Sequence, residues 1–277
     1  MLGDNLMKKI ICVALSILFA LSICVFAKPA EKTYADGFNG STFLYTQNET
    51  VSYYRKVESE TVIPSDIPKY YSTTANANDC APVAGAIVLG YYDRYFDNLI
   101  PNFTAGIVIR DIYIYNPQNA SVSEVINSLF DLMETNSSGS GTTISQFQNG
   151  LQQYVQSKNK TISFESVKNG SFSVGETTAS ISEQIPVVIF VSGYALVDQD
   201  GITSSGNTDT FAKKIYGGAH TMVVSGIKTI TYYNQYNVVV SQKILLRVSD
   251  GFSSGSTKYV MVYGFGNIDN AYSVNIY

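Results

Sequence analysis

The chain has 277 residues, a length that suits either one domain or two. Hydrophobic residues make up 45% and charged residues only 14%, so a large core can form beneath a weakly charged surface. The net charge of −4 provides no basic face, which excludes nucleic-acid binding from the predicted activities.

The N-terminus predicts export. Met7-Lys8-Lys9 is basic, residues 10–26 form an apolar run, and Val25 and Ala27 occupy the small-residue positions of a cleavage site. This pattern is typical of a secretory signal peptide over residues 1–27. A retained anchor is the alternative, but the run is slightly short for a membrane span. We therefore expect a secreted or cell-surface protein with no stable membrane span after cleavage.

Export leaves the mature chain with one cysteine and one histidine. Cys12 and Cys24 lie in the signal peptide, so only Cys80 remains, and His220 is the single histidine. A structural Cys/His zinc site is excluded because it needs more ligands than these. No metal or organic cofactor is predicted. A thiolate–imidazole pair, by contrast, can form in one way only.

Residues 28–64 are polar and alternate only weakly. They predict an N-terminal arm, for which a propeptide, an edge strand on the main domain and a loose segment all stay open. The main domain is predicted to span residues 65–277.

Cys80 stands where a polar loop turns into a helix. Asn78 and Asp79 suit the N-cap, and Pro82 suits the first turn. The apolar residues that follow predict a buried helix. A thiol at a helix N-terminus lies in the positive end of the helix dipole, which favours the thiolate nucleophile. A small buried hydrophobe is the alternative interpretation.

The rest of the chain divides into helices and then strands. Capping patterns predict helices over 121–134, from Thr143 with Gln146, and over 177–184. Apolar runs then predict strands over 186–191, 221–227, 229–233, 237–248 and 258–265, with a long loop over 198–218. Helices first and an antiparallel sheet second is the α+β pattern.

Two further residues complete a possible catalytic set. His220 follows Gly217 and Gly218 at the start of a strand, and Asp250 stands at the end of the next strand. A carboxylate there can accept a hydrogen bond from the imidazole and fix its tautomer. A locally satisfied histidine and an ordinary turn aspartate are the alternatives.

Together, the order Cys80, His220, Asp250 and the run from Cys80-Ala81-Pro82 to Leu89-Gly90-Tyr91-Tyr92-Asp93 resemble the papain-like cysteine peptidases. The C39-like peptidase group is the closest likeness, and it covers roughly residues 65–265. The resemblance implies a papain-like α+β fold, with a helical half that carries the nucleophile and an antiparallel sheet that carries His and Asp. It also implies that Cys80 is the nucleophile, His220 the general base and acid, and Asp250 the orienting group.

One position departs from that family. Papain-like enzymes usually carry an oxyanion-hole Gln six residues before the nucleophile, where this chain has Thr74. Asn76 and Asn78 are the nearby amides that could replace it, with the backbone N–H of Cys80 as the other donor.

These features predict a secreted, monomeric cysteine peptidase that hydrolyses peptide bonds in peptide or protein substrates through a thioester acyl-enzyme. Three alternatives stay open. One is a transglutaminase-like acyl transferase, in which the long loop would border an acceptor pocket. The second is a cell-wall amidase, and the third is a catalytically silent binding module with a tyrosine-rich surface.

Overall fold

A computed structural model describes residues 33–34, 41–72, 77–137, 139–263 and 266–277. The predicted signal peptide over residues 1–27 and the predicted oxyanion donor Asn76 lie outside these ranges. Within them, no helix is both long and apolar enough to cross a membrane.

The described residues form four helices and fourteen strands. The helices are α1 (Cys80–Asp93), α2 (Ala120–Leu132), α3 (Ile144–Ser157) and α4 (Val174–Ser182). The strands up to the third helix are β1 (Thr33–Tyr34), β2 (Thr42–Ser52), β3 (Arg55–Val62), β4 (Gly106–Ile109), β5 (Ile112–Tyr115) and β6 (Thr142–Thr143). The later strands are β7 (Ile162–Ser166), β8 (Lys168–Asn169), β9 (Ser171–Phe172), β10 (Val187–Ser205), β11 (Thr208–Tyr233), β12 (Val239–Ser249), β13 (Lys258–Val262) and β14 (Gly266–Ile276).

One large antiparallel sheet organises the molecule. Its strand order is β2-β11-β12-β13-β10-β14-β7, and β3 also pairs with β11. Because β10 pairs with β11 as well, strands β10, β11, β12 and β13 pair in a closed cycle. A smaller core that includes Phe211, Ile230, Tyr232 and Leu245 is formed by these strands, while the larger core joins the sheet to the helices.

The helix starts follow local side-chain chemistry. Thr143 and Gln146 form the predicted capping box on α3, with both reciprocal hydrogen bonds present, which confirms that start. Helix α2 differs in detail from the prediction. It begins at Ala120 and is capped by Asn119, whose side chain accepts from the backbone N–H of Val122. An Asn side chain two residues before Ser121 thus replaces the predicted capping box.

The predicted fold class is wrong. The described residues form mostly antiparallel sheet, with 47% in strands and 22% in helices, rather than a papain-like α+β fold with a helical half beside a sheet. Two polar segments account for the difference. Residues 42–62 supply β2 and β3, and the predicted loop over 198–218 supplies the ends of β10 and β11. Strands β2 and β3 pair with residues more than 150 positions later, whereas the ends of β10 and β11 pair with each other as a hairpin. Both segments are polar, so no apolar pattern predicts their strands.

The N-terminal arm therefore contributes to the sheet. Strand β2 pairs with the first half of β11, from Ser52 opposite Thr208 to Thr42 opposite Gly217. Strand β3 pairs with the second half of the same strand, from Arg55 opposite Tyr233. Of the alternatives that the sequence leaves open for residues 28–64, edge strands describe residues 42–62.

Candidate active site

Cys80 is the first residue of α1, and its side chain is only 3% exposed. The N-cap residue, Asp79, makes no capping bond with its side chain. Its carboxylate instead accepts a hydrogen bond from the hydroxyl of Ser72, at 2.7 Å. This side-chain hydrogen bond fixes the turn before the helix. Pro82 has no N–H and that of Val83 donates to the carbonyl of Asp79, so the first N–H groups of the helix are those of Cys80 and Ala81.

Asn78, in the same turn, binds a neighbouring loop through its side chain. Its backbone lies in the left-handed region (φ 69°), which Asn tolerates better than most residues. Its amide nitrogen donates to Oδ1 of Asn136 at 2.8 Å and to Oγ of Ser140 at 3.1 Å. A primary amide has two N–H donors, so both are committed to the loop between α2 and α3. In this conformation both side-chain N–H groups of Asn78 are therefore engaged, and neither can donate to an oxyanion.

His220 lies inside the long strand β11 and is 1% exposed. Its Nε2 is 2.7 Å from the backbone carbonyl oxygen of Asp250. A carbonyl can only accept, so this bond assigns the proton of the neutral ring to Nε2. Nδ1 is then the nitrogen that can take up a proton, which is the property that a general base needs.

Three aromatic rings fix the plane of the imidazole. Phe252 stacks on His220 with a centroid separation of 4.5 Å and an interplanar angle of 3°. Tyr194 lies 5.6 Å away at 19°, and Tyr216 in turn stacks on Tyr194 at 5.0 Å and 7°. Aromatic faces stabilise a cation above them, so the frame favours the imidazolium form during proton transfer.

Asp250 acts on the imidazole through its main chain. Its carboxylate pairs with the ammonium of Lys258 and accepts from the backbone N–H of Phe252 at 3.2 Å. The side chain therefore shapes the turn that presents the carbonyl to His220 and holds Phe252 over the ring. Asp250 is 2% exposed, so these bonds offset the desolvation of its carboxylate.

The turn of Asp250 also meets the nucleophile helix. Gly251 has φ 73°, and a Cβ built on it would lie 3.2 Å from Cγ1 of Val83, in the first turn of α1. The carbonyl of Gly251 accepts from the backbone N–H of Ser72 at 3.1 Å. The elements that carry Cys80, His220 and Asp250 thus converge on one buried corner of the molecule.

Tyr194 stacks on His220 and also lies near enough to Cys80 to interact with its charge. Burial raises the pKa of Tyr194 well above the ordinary value; a hydrogen bond with Ser41 lowers it, while nearby negative charge, including a thiolate at Cys80, raises it further. The phenol is 1% exposed, and its oxygen is hydrogen-bonded to the hydroxyl of Ser41. Tyr194 therefore stays protonated over the working pH range and keeps its O–H as a donor.

Sequence reasoning missed Tyr194, Phe252 and Ser41. Gly193, with φ 58°, lies at an irregularity in both ladders of β10, between Ser192 and Tyr194. Such bulges commonly redirect a side chain beside a functional site. The dipeptide Gly193-Tyr194 inside an apolar strand was a usable signal for the bulge, whereas nothing local marks the ring of Phe252 as the cover of His220.

Among the described residues, no group of three or more His, Cys, Asp or Glu side chains is arranged to hold a metal ion. No family model, curated protein or solved structure matches this chain.

Proposed function

We propose that this protein is an exported thiol hydrolase that cleaves peptide bonds. The supporting observation is that Nε2 of His220 is 2.7 Å from the Asp250 carbonyl, in a turn that lies against the helix beginning with Cys80. The sequence likeness of the Cys80 helix to the C39-like peptidase group agrees with this chemistry. Export rests on the predicted signal peptide over residues 1–27.

The reaction begins with proton transfer from the thiol of Cys80 to Nδ1 of His220. The thiolate, favoured by the helix N-terminus, attacks the amide carbonyl and forms a tetrahedral intermediate. The imidazolium then gives its proton to the leaving amine as the C–N bond breaks. In the second half, His220 takes a proton from water, which attacks the thioester, and the acid product leaves with the thiol restored.

The oxyanion of each intermediate needs two donors. The backbone N–H of Cys80 is one, as helix geometry directs it to the thiol end. In this proposal the hydroxyl of Tyr194 is the second, with Ser41 as the donor in their shared hydrogen bond, because both side-chain N–H groups of Asn78 are bound elsewhere. Removing one such donor costs about 3 kcal/mol of transition-state stabilisation. Tyr194→Phe should therefore lower kcat by roughly two orders of magnitude.

A specific observation favours a second candidate, the catalytically silent binding module. Cys80 is 3% exposed and His220 1%, so a substrate reaches the thiol only after the corner opens. The acyl-transferase alternative lacks comparable support. Its predicted loop over 198–218 is instead part of two paired strands, with register from Ile202 opposite Phe211 to Ser205 opposite Thr208.

Thiol labelling separates the two candidates. We expect iodoacetamide to alkylate Cys80 in the native mature protein at a pH below the pKa of a free thiol, which is roughly 8.5. Mass spectrometry of the intact protein measures the labelled fraction. Cys80→Ala should abolish hydrolysis of a casein substrate while the melting temperature stays within a few degrees of the wild type.

Two results would overturn the hydrolase. One is a native thiol that reacts only after unfolding, and the other is undiminished casein cleavage by the alanine variant. A large fall in melting temperature without any labelling would instead identify Cys80 as a core residue of a binding module.

A further inference from the structure

A cavity of about 330 Å³ opens on the sheet beside the catalytic corner. Its walls include Val191, Tyr194, Val260 and Ile268 from three strands, and Phe172 from the β8–β9 hairpin. Most of these side chains are apolar. A volume near 300 Å³ is at the lower end of small-molecule sites, so the cavity accommodates one side chain rather than a length of peptide.

Strand register places these walls on the face of the sheet that carries His220. Val191 is paired directly with His220 in one ladder and with Ile268 in the other. Directly paired residues of antiparallel strands project to the same face. Tyr194 also lines the cavity, and its ring stacks on that of His220 with a centroid distance of 5.6 Å, so one side chain adjoins both the cavity and the imidazole.

The second side of the cavity follows from the same rule. Leu196 is paired with Val260, and residues two apart on a strand share a face, so Val260 projects to the side of Tyr194. Gly193, which directly precedes Tyr194 at the bulge, also lines the cavity and has no side chain. The absence of a Cβ at this position leaves space directly beside Tyr194.

Two charged residues, Lys168 and Asp269, line the cavity, and its other lining residues are uncharged. The ammonium of Lys168 donates to the backbone carbonyl of Asp269. A buried ionic group would lack a partner among the valine, isoleucine and phenylalanine side chains there. The cavity chemistry fits a neutral, apolar guest.

We propose that this cavity binds a large apolar side chain, such as Leu, Met or Phe, of a peptide substrate close to the bond that Cys80 cleaves. This inference rests on the proposed hydrolase function. Docking that side chain beside Tyr194 brings the substrate backbone to the phenol that donates to the oxyanion. Substrates with Ala or Gly at the same position lose this burial.

Cleavage-site profiling of the full mature chain tests the proposal. Mass spectrometry of the peptides released from denatured casein should show Leu, Met or Phe enriched at one fixed position near the cut. Ser171, an exposed residue on the rim, allows a blocking variant. Ser171→Phe should lower kcat/KM for a Leu-containing peptide at least tenfold, since each methylene in such a pocket contributes 10-fold or more.

Ser59→Phe is the matched control, since Ser59 is also an exposed strand serine but lies on β3. Its kcat/KM and its cleavage profile should equal those of the wild type. Cleavage without a side-chain preference, or a preference that Ser171→Phe leaves unchanged, would overturn the cavity proposal while the hydrolase stands.

A binding measurement separates the cavity from the chemistry. In the Cys80→Ala full chain, N-acetyl-leucinamide should raise the melting temperature, N-acetyl-glycinamide should not, and Ser171→Phe should abolish the rise. A leucinamide shift in Cys80→Ala, together with a Cys80 thiol that never reacts in the wild type, would exclude the hydrolase and retain the apolar site. No shift together with normal cleavage would remove the cavity alone.

Discussion

Two buried aspartates, one near the start of β11 and the other in the turn after β12, use their carboxylates in different ways. Asp209, 0% exposed, accepts from the hydroxyls of Tyr53, Ser204 and Tyr232 and pairs with Lys56 at 2.9 Å. Asp250, in the turn after β12, binds Lys258 with its side chain but uses its backbone carbonyl for His220.

The contrast separates stability from positioning. Asp209 is the shared acceptor of four polar side chains beside the smaller core, and none of these partners belongs to the candidate active site. Asp209 and His220 are eleven residues apart on one strand, or about 36 Å if the strand is straight. Substitutions at Asp209 should thus change unfolding alone, and substitutions around Asp250 should change turnover.

The largest effect is expected at His220. His220→Gln keeps a polar side chain of similar size but removes proton transfer, so kcat should fall by roughly 10²- to 10⁴-fold. Removing the imidazolium should also shift Cys80 alkylation to higher pH, because a positive neighbour favours the thiolate. Stopped-flow alkylation across pH 5–10 measures this shift.

The control is the same alkylation series in guanidinium chloride, where the unfolded wild type and His220→Gln should show the same dependence of alkylation rate on pH. Equal native curves for the wild type and His220→Gln would show that the two side chains are not paired. The binding-module candidate would then move ahead of the hydrolase.

The next effect is on stability at Asp209. Asp209→Ala leaves the buried phenol of Tyr232 without its acceptor, while Lys56 keeps Glu58 as a partner. Losing hydrogen bonds to a charged group costs about 3 kcal/mol. Urea unfolding measures the loss, and kcat/KM of the folded fraction should not change. Asp200→Ala, an exposed aspartate of β10, should stay within about 0.5 kcal/mol.

The pH dependence of this contribution has a defined sign. Burial alone would raise the pKa of Asp209, but hydrogen bonds from Ser204, Lys56 and Tyr232, with the charge of Lys56, hold it below the ordinary 3.8. The unfolded chain then binds more protons, so this stabilisation is present above about pH 4 and is lost as the pH falls further. Asp209→Ala should flatten that acid limb. An unchanged limb would contradict the ion-pair account.

The sequence was sufficient for some of this framework and not for the rest. The helix at Cys80 and the cap of Thr143 were predictable because both depend on neighbouring residues. Strand β2 was not, since nearly all its residues are exposed and its partner lies more than 150 residues later. The stack of Phe252 on His220 depends on strand register and a glycine turn, which no local pattern encodes.

Asp93, the last residue of α1, extends the comparison to a carboxylate with few donors. Burial raises its pKa to about 6, and backbone N–H groups such as that of Ile100, at 2.9 Å, offset burial only in part. The folded state therefore binds more protons between about pH 4 and 6, and stability falls as pH rises through that window.

Asp93→Asn should remove this fall, whose slope is at most about 1.4 kcal/mol per pH unit for one proton. Urea midpoints at pH 4, 5 and 6 measure it. Asp131→Asn, on the exposed side of α2, should retain the wild-type slope. A slope shared by all three chains would exclude Asp93 as its source.

The smallest effect, and the sharpest test of the comparison, is at Asp250. Asp250→Asn keeps the backbone carbonyl for His220 and an oxygen for the N–H of Phe252, and loses only the pairing with Lys258. We expect kcat/KM to fall about threefold, and Asp250→Ala, which also leaves the Phe252 N–H without its acceptor, to lose about tenfold, since a hydrogen bond contributes roughly 1 kcal/mol. Lys258→Met should resemble the Asn variant if the ion pair only shapes the turn. A loss above a hundredfold in Asp250→Asn would mean that the carboxylate itself acts on the imidazole during turnover, and Asp250 would no longer differ in kind from the third member of a catalytic triad.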